Sequence, residues 1–118
     1  MGRYVVLYSA PLSVKQRFAQ ATPEEAMRGM GLWVDWAKRL GPALLDAGKP
    51  FGSAAQVSKA GVAPVNSEVV GMSILEAGSM EAALGMVKDH HHLDWSRDCE
   101  ITVLEEIAIP ELAGAAAH

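Results

Sequence analysis

Eight consecutive residues hold most of this chain's histidines: Lys88-Asp89-His90-His91-His92-Leu93-Asp94-Trp95, KDHHHLDW. Three of the four histidines stand side by side, with a carboxylate on either flank and an indole just beyond. Histidine changes charge near neutral pH, and a carboxylate beside it both fixes the tautomer and supports the protonated form. One reading is therefore proton transfer, with His90 or His92 as acid/base and Asp89 or Asp94 as the orienting carboxylate. A second reading is a metal. In extended backbone His90 and His92 project to the same side, but no second spaced pair of ligands accompanies them, and the set stays short of a metal centre. A third is structural, because imidazoles placed after a helix cap its last carbonyls at the negative end of the dipole; that role suits His91.

Other side chains bear on a site. Trp95, in a loop beside the histidines, has the size to wall a pocket for an aromatic substrate. Trp33 and Trp36 lie about one turn apart and serve either as packing anchors or as ligand platforms. Tyr4 and Tyr8 share a strand face, where their hydroxyls either enter a cavity or pack as core. Glu105, in an apolar strand, acts as a base if it is buried and is merely solvated if it is not. Cys99, the single cysteine, reads as a small buried hydrophobe in a reducing compartment. The expected substrate-binding set is Trp95, Tyr8, Trp33 and Glu105. The glycines match neither nucleotide-binding spacing, so no organic cofactor is called for.

These residues need elements to place them. Residues 3–8, RYVVLY, read as a strand, and residues 9–21 as a loop with a partial helical turn. Thr22-Pro23-Glu24-Glu25 carries the marks of a helix start: a capping hydroxyl, proline at the first helical position and a glutamate that closes a capping box. Beyond it Met27, Met30, Trp33 or Val34, Ala37, Leu40 and Leu44 recur at helical spacing; Gly41-Pro42 either kinks this helix or starts a short second turn, and Gly48 serves as a stop. Residues 53–61 read as a weak strand, with a loop after them, and residues 67–77 as a firm one. Ser79 caps a second helix with Met80, Ala83, Leu84 and Val87 on one face. Residues 99–109 form the last strand, closed by Pro110. The order β-α-β-β-α-β predicts a ferredoxin-like α+β fold with an antiparallel four-stranded sheet.

With 118 residues, half of them hydrophobic and a fifth charged, the chain is read as one globular domain over 1–110. Residues 111–118 are expected to be a disordered tail, with His118 set aside as a residue that expression vectors add. A net charge of −4 and scattered basic residues argue against nucleic acid as a partner. No apolar run approaches the about 18 residues of a membrane span, and no secretory leader is expected, so the location is read as cytoplasmic. The strands carry apolar residues on both faces: Val5 and Leu7 oppose Tyr4, Val6 and Tyr8, while Val70, Met72 and Ile74 oppose Val69 and Leu75. A sheet with helices on one side only would leave that second face bare, which predicts a homodimer packed sheet to sheet, the alternative being that the loops at 9–21 and 52–66 fold over it.

Several words resemble the YCII-related family: YVVLYSAP at the start, WVDWAKRLGPALLDAGKPFG, VVGMSILEAGSMEAAL, and DHHHLDW with CEITVLEE at the end. The resemblance spans about residues 3–110. It implies a dimeric α+β barrel of two ferredoxin-like protomers, each with a cleft, and it implies His–Asp acid/base chemistry on a small molecule, of the isomerase, lyase or dehydrochlorinase kind. The alternative is a small-molecule-binding or accessory homodimer without turnover. Asp89 falls where the family carries an aspartate after the second helix. The family's first-helix histidine has no counterpart here, where the chain reads Met30-Gly31-Leu32-Trp33. In the closer group an HPHL word stands where this chain has His90-His91-His92-Leu93, so the resemblance passes the histidine role to His90 or His92.

Overall fold

A computed structural model describes residues 1–108. Strand β1 (Gly2–Ser9) runs through the middle of a four-stranded antiparallel sheet, between β5 (Val69–Ala77) and β6 (Glu100–Glu105); β2 (Leu44–Pro50) is the edge beyond β5. The helices are α1 (Leu12–Ala19), α2 (Pro23–Leu40) and α3 (Met80–Val87). Strand order β2-β5-β1-β6 with α2 and α3 as connections makes an α+β fold compatible with the ferredoxin-like arrangement. The last strand, expected over 99–109, ends at Glu105 and leaves residues 106–108 outside the sheet, while the expected stop at Pro110 and the tail at 111–118 lie outside the described residues.

The capping box forms as expected: Thr22 Oγ1 accepts from the Glu25 N–H at 3.1 Å, and the Glu25 carboxylate accepts from Thr22. Ser79 caps α3 by accepting from the Ala82 N–H. On β1, Tyr4, Val6 and Tyr8 point into the core, opposite Leu75, Ser73 and Gly71 of β5. Trp36 and Val87 close over them from the two helices, and the Trp36 indole N–H donates to the Met86 carbonyl at 3.0 Å, tying α2 to α3.

Three further expectations change. Residues 12–19, read as loop, form the full helix α1, whose Val14 joins Ala10 and Cys99 in a second small cluster. The helix ends at Leu40 without running on through Leu44: Gly41 takes φ +56, and Gly41-Pro42 starts a short second turn, Gly41–Ala43, the second of the two expected outcomes there. The chain then becomes edge strand β2, a position that tolerates Lys49 and Pro50. Finally, residues 53–61 do not enter the main sheet. They form the first arm of a separate hairpin, β3 (Ala54–Ser58) with β4 (Gly61–Val65).

The stripe on α2 is shifted as well. Met27 and Met30 remain 75% and 63% exposed, while Gly29, Trp33, Trp36, Ala37 and Leu40 turn inward. The first half of α2 therefore overhangs the sheet without packing on it, which leaves room for a cleft.

Candidate functional site

The cleft has a volume of about 480 Å³, and it lies between the overhanging half of α2, the end of β2 and the histidine turn. Trp33 and Met30 come to it from α2, Trp95 and His91 from the turn, Tyr8 from β1 and Phe18 from α1. The lining is predominantly aromatic and apolar, as small-molecule sites are. Its floor is close backbone, where β2 meets β5. Gly48 has φ +95, and a Cβ there would stand 1.5 Å from the Met72 carbonyl oxygen. Only glycine lets the strands approach in this way. The Gly48 N–H donates to the Asp46 carboxylate at 2.8 Å, which holds the irregular strand in shape.

The histidine run is not extended. It leaves α3, turns at His90 and winds into a 3₁₀ turn, His91–Asp94. The turn sends the three rings to three places. His90, 1% exposed, packs among Trp36, Tyr8 and Trp33 with ring centroids 4.5–5.0 Å apart. Its Nδ1 accepts from the His92 N–H at 3.0 Å, capping the turn, and so the proton of the neutral ring sits on Nε2. That Nε2 has no hydrogen-bond partner among the described residues. Burial, reinforced by His91, His92 and Arg39, pulls the His90 pKa down to about 3.

His92 is also buried, and its Nε2 lies 2.8 Å from the Ser9 carbonyl, which can only accept. Burial lowers its pKa, against the pull of the Ser9 and Glu100 carbonyls. His91, expected to cap or face water, is half-buried on the cleft wall. It stacks on His90 at 4.2 Å and meets the edge of Trp33 at 5.4 Å. Among the described residues neither of its ring nitrogens is hydrogen-bonded, and burial lowers its pKa too, with Asp94 opposing.

The structure thus brings Tyr8, Trp33, Trp95, His91 and His92 together and sets the other expected residues apart. Asp89 and Asp94 are exposed, and neither hydrogen-bonds an imidazole; backbone groups of the turn and of Ser9 take the orienting role instead. His90 is sealed beneath the cleft wall. Glu105 is exposed on β6, beside Tyr4 in register, and does not border the cleft. Among the described residues no three His, Cys, Asp or Glu side chains converge as a metal would need. The 3₁₀ winding separates His90 from His92.

Under the cleft wall runs a chain of hydroxyls. The Ser73 hydroxyl donates to the Ala47 carbonyl at 2.8 Å, so the Tyr8 hydroxyl, also 2.8 Å away, donates to Ser73. Burial raises the Tyr8 pKa to about 12, with Ser73 opposing. Tyr8 is accordingly a fixed donor into the sheet and not a base.

Trp95 is held from both ends. Arg17 donates to its carbonyl at 2.7 Å, and Phe18 packs edge to face on its ring at 5.0 Å. Reading residues 9–21 as a loop hid both contacts. His91 was missed because its neighbours' alternation presumed an extended backbone.

No protein-family model matches the chain, and no curated protein matches it. No helix among the described residues is long and apolar enough to cross a membrane.

Proposed function

We propose that this chain is a small cofactor-independent enzyme that moves a proton on a small aromatic molecule held in the cleft, with His91 as the acid/base group. One observation carries the reading: of three adjacent imidazoles, His91 alone faces the cleft with both nitrogens unengaged. Its lowered pKa keeps it neutral near pH 7, the form a general base requires. Stacking on His90 and an edge contact with Trp33 fix its plane, so the two expected acid/base residues become supports: His90 as the stacked base plate, His92 as the anchor to Ser9.

The same proposal includes a cytoplasmic homodimer of the YCII-related kind. The element order and the one-sided helix layer favour it, as do Val5, Leu7, Met72 and Ile74, which are only partly buried on the sheet face away from the helices.

A neutral two-ring ketone, 2-tetralone, tests the chemistry, because proton abstraction beside its carbonyl exchanges hydrogen for deuterium in heavy water. The wild-type protein is expected to accelerate exchange over buffer, and His91→Ala, checked for native circular dichroism, to lose that acceleration. Exchange at the buffer rate with the wild type overturns the enzyme reading. Tetralone binding without exchange favours the alternative, a binding protein without turnover.

A further inference from the structure

We infer that the cleft takes an uncharged aromatic molecule that lies flat across Gly29, between Trp33 and Trp95, and that the missing side chain at Gly29 sets which molecules fit. This rests on the cleft being the ligand site and names the class of ligand it takes.

The charge part follows from the lining. No carboxylate or guanidinium borders the cleft, and Lys49 is the one formally charged residue on it among the described residues. Lys49 pairs in register with Met72, and directly paired residues send their side chains to the same face of a sheet. Met72 belongs to the face away from the helices. The Lys49 carbonyl, by contrast, lies at the cleft floor, 3.1 Å from where a Gly71 Cβ would be. The register thus directs the Lys49 side chain to the opposite face, while its carbonyl forms part of the cleft floor. An anion or cation entering would lose hydration with no opposite charge to meet it. A neutral molecule with one hydroxyl or carbonyl loses little, because the neutral His91 imidazole offers one donor and one acceptor.

The Gly29 part follows from comparing glycines. Gly48 is demanded by its positive φ and by the Met72 carbonyl, and Gly71 is crowded by the Lys49 carbonyl and by Tyr8. Gly29 has neither excuse. It sits inside α2, where glycine is less stable than alanine. A Cβ there would meet only the Trp95 ring, at an ordinary 3.9 Å. Gly29 lies one turn before Trp33 on the same helix face and borders the main, uncharged cleft; a smaller one of about 240 Å³ beside it shares Gly29, Trp95 and Phe18 but is also lined by Arg17 and Glu25, so the neutral class is argued for the main cleft alone. Folding gains nothing from the empty space, whereas a ring lying on the helix backbone would use it.

Equilibrium dialysis with 2-naphthol and 2-naphthoate at neutral pH tests both parts, with Gly31→Ala as the control, because Gly31 is exposed on the same helix and borders neither cleft. Naphthol is expected to bind roughly ten-fold or more tighter than naphthoate. Both Gly29→Ala and Gly31→Ala are expected to raise the melting temperature, yet only Gly29→Ala to weaken naphthol, by roughly ten-fold. If neither probe binds, the cleft is not the ligand site and the reading beneath this inference falls. Equal binding, or tighter naphthoate, overturns the neutral class while leaving the cleft standing. Naphthol affinity unchanged in Gly29→Ala overturns the role of Gly29, and a lowered melting temperature in that variant shows that the glycine serves the fold.

Discussion

His90 performs two jobs that make the same demand on its charge. Its Nδ1 must stay unprotonated to accept from His92, and its ring must fill a hole between two tryptophans and a tyrosine. Both demand the neutral form, which is why its pKa falls to about 3 from an ordinary 6.5. The sign of the linkage follows. Between those values the unfolded chain binds a proton that the folded chain refuses, so stability is full above pH 6.5 and declines as the pH falls toward 3. At pH 5 the decline from His90 alone is about 2 kcal/mol. His90→Asn keeps an acceptor for the His92 amide and removes the titration. Urea unfolding should show the variant less stable at pH 7, by about 1–3 kcal/mol for the lost packing, but with a pH 7-to-5 loss smaller by about 2 kcal/mol. An unchanged pH slope would mean that His90 is not held neutral by the fold.

At the scale of elements, what could be read from sequence was what local physics decides. The capping box at Thr22, the cap at Ser79 and the β-branched runs of β1, β5 and β6 each depend on a few adjacent residues, and each forms. What could not be read depends on distant partners. Residues 44–50, LLDAGKP, lack β-branched residues and continue a helical apolar period, and only pairing with β5 makes them a strand. Tyr8, Trp33 and Trp95 were legible because large rings must go somewhere enclosed, whereas Phe18 was not, because its helix α1 was read as a loop with a partial helical turn. The part of His91 was not, because a 3₁₀ turn and an extended run differ by dihedrals that the HHH word does not encode. Gly48 is where β2 depends most on one residue. Gly48→Ala forces a side chain into φ +95 and against the Met72 carbonyl, and is expected to cost about 2–4 kcal/mol, since both strain and strand separation result. Thermal melting measures it; a shift under a degree or two would show that β2 closes the cleft floor more loosely than this geometry requires.

At the scale of the whole molecule, the sheet is finished on one side only. Toward the helices Tyr4, Val6, Tyr8 and Leu75 are almost fully buried; on the other side Val5, Leu7, Met72 and Ile74 are covered partly and Leu104 is 48% exposed. Leu7 sits at the centre of this partly covered face, in register with Met72 on β5 and with Thr102 on β6. Two copies joined by a twofold axis would bury the same patch on each protomer and bring the two central residues near the axis. Leu7→Asp discriminates the possibilities sharply. In a lone protomer the carboxylate is solvated and the fold is spared, while in a sheet-to-sheet dimer two carboxylates are buried close together without partners. Sedimentation equilibrium at micromolar concentration should therefore give twice the 12.5 kDa chain mass for the wild type and a single chain for Leu7→Asp, with unchanged circular dichroism. A wild type at one chain mass removes the dimer altogether. A Leu7→Asp protein that stays at twice the chain mass keeps the dimer and moves its interface off this face, which would leave the apolar strand residues to be covered by the chain itself.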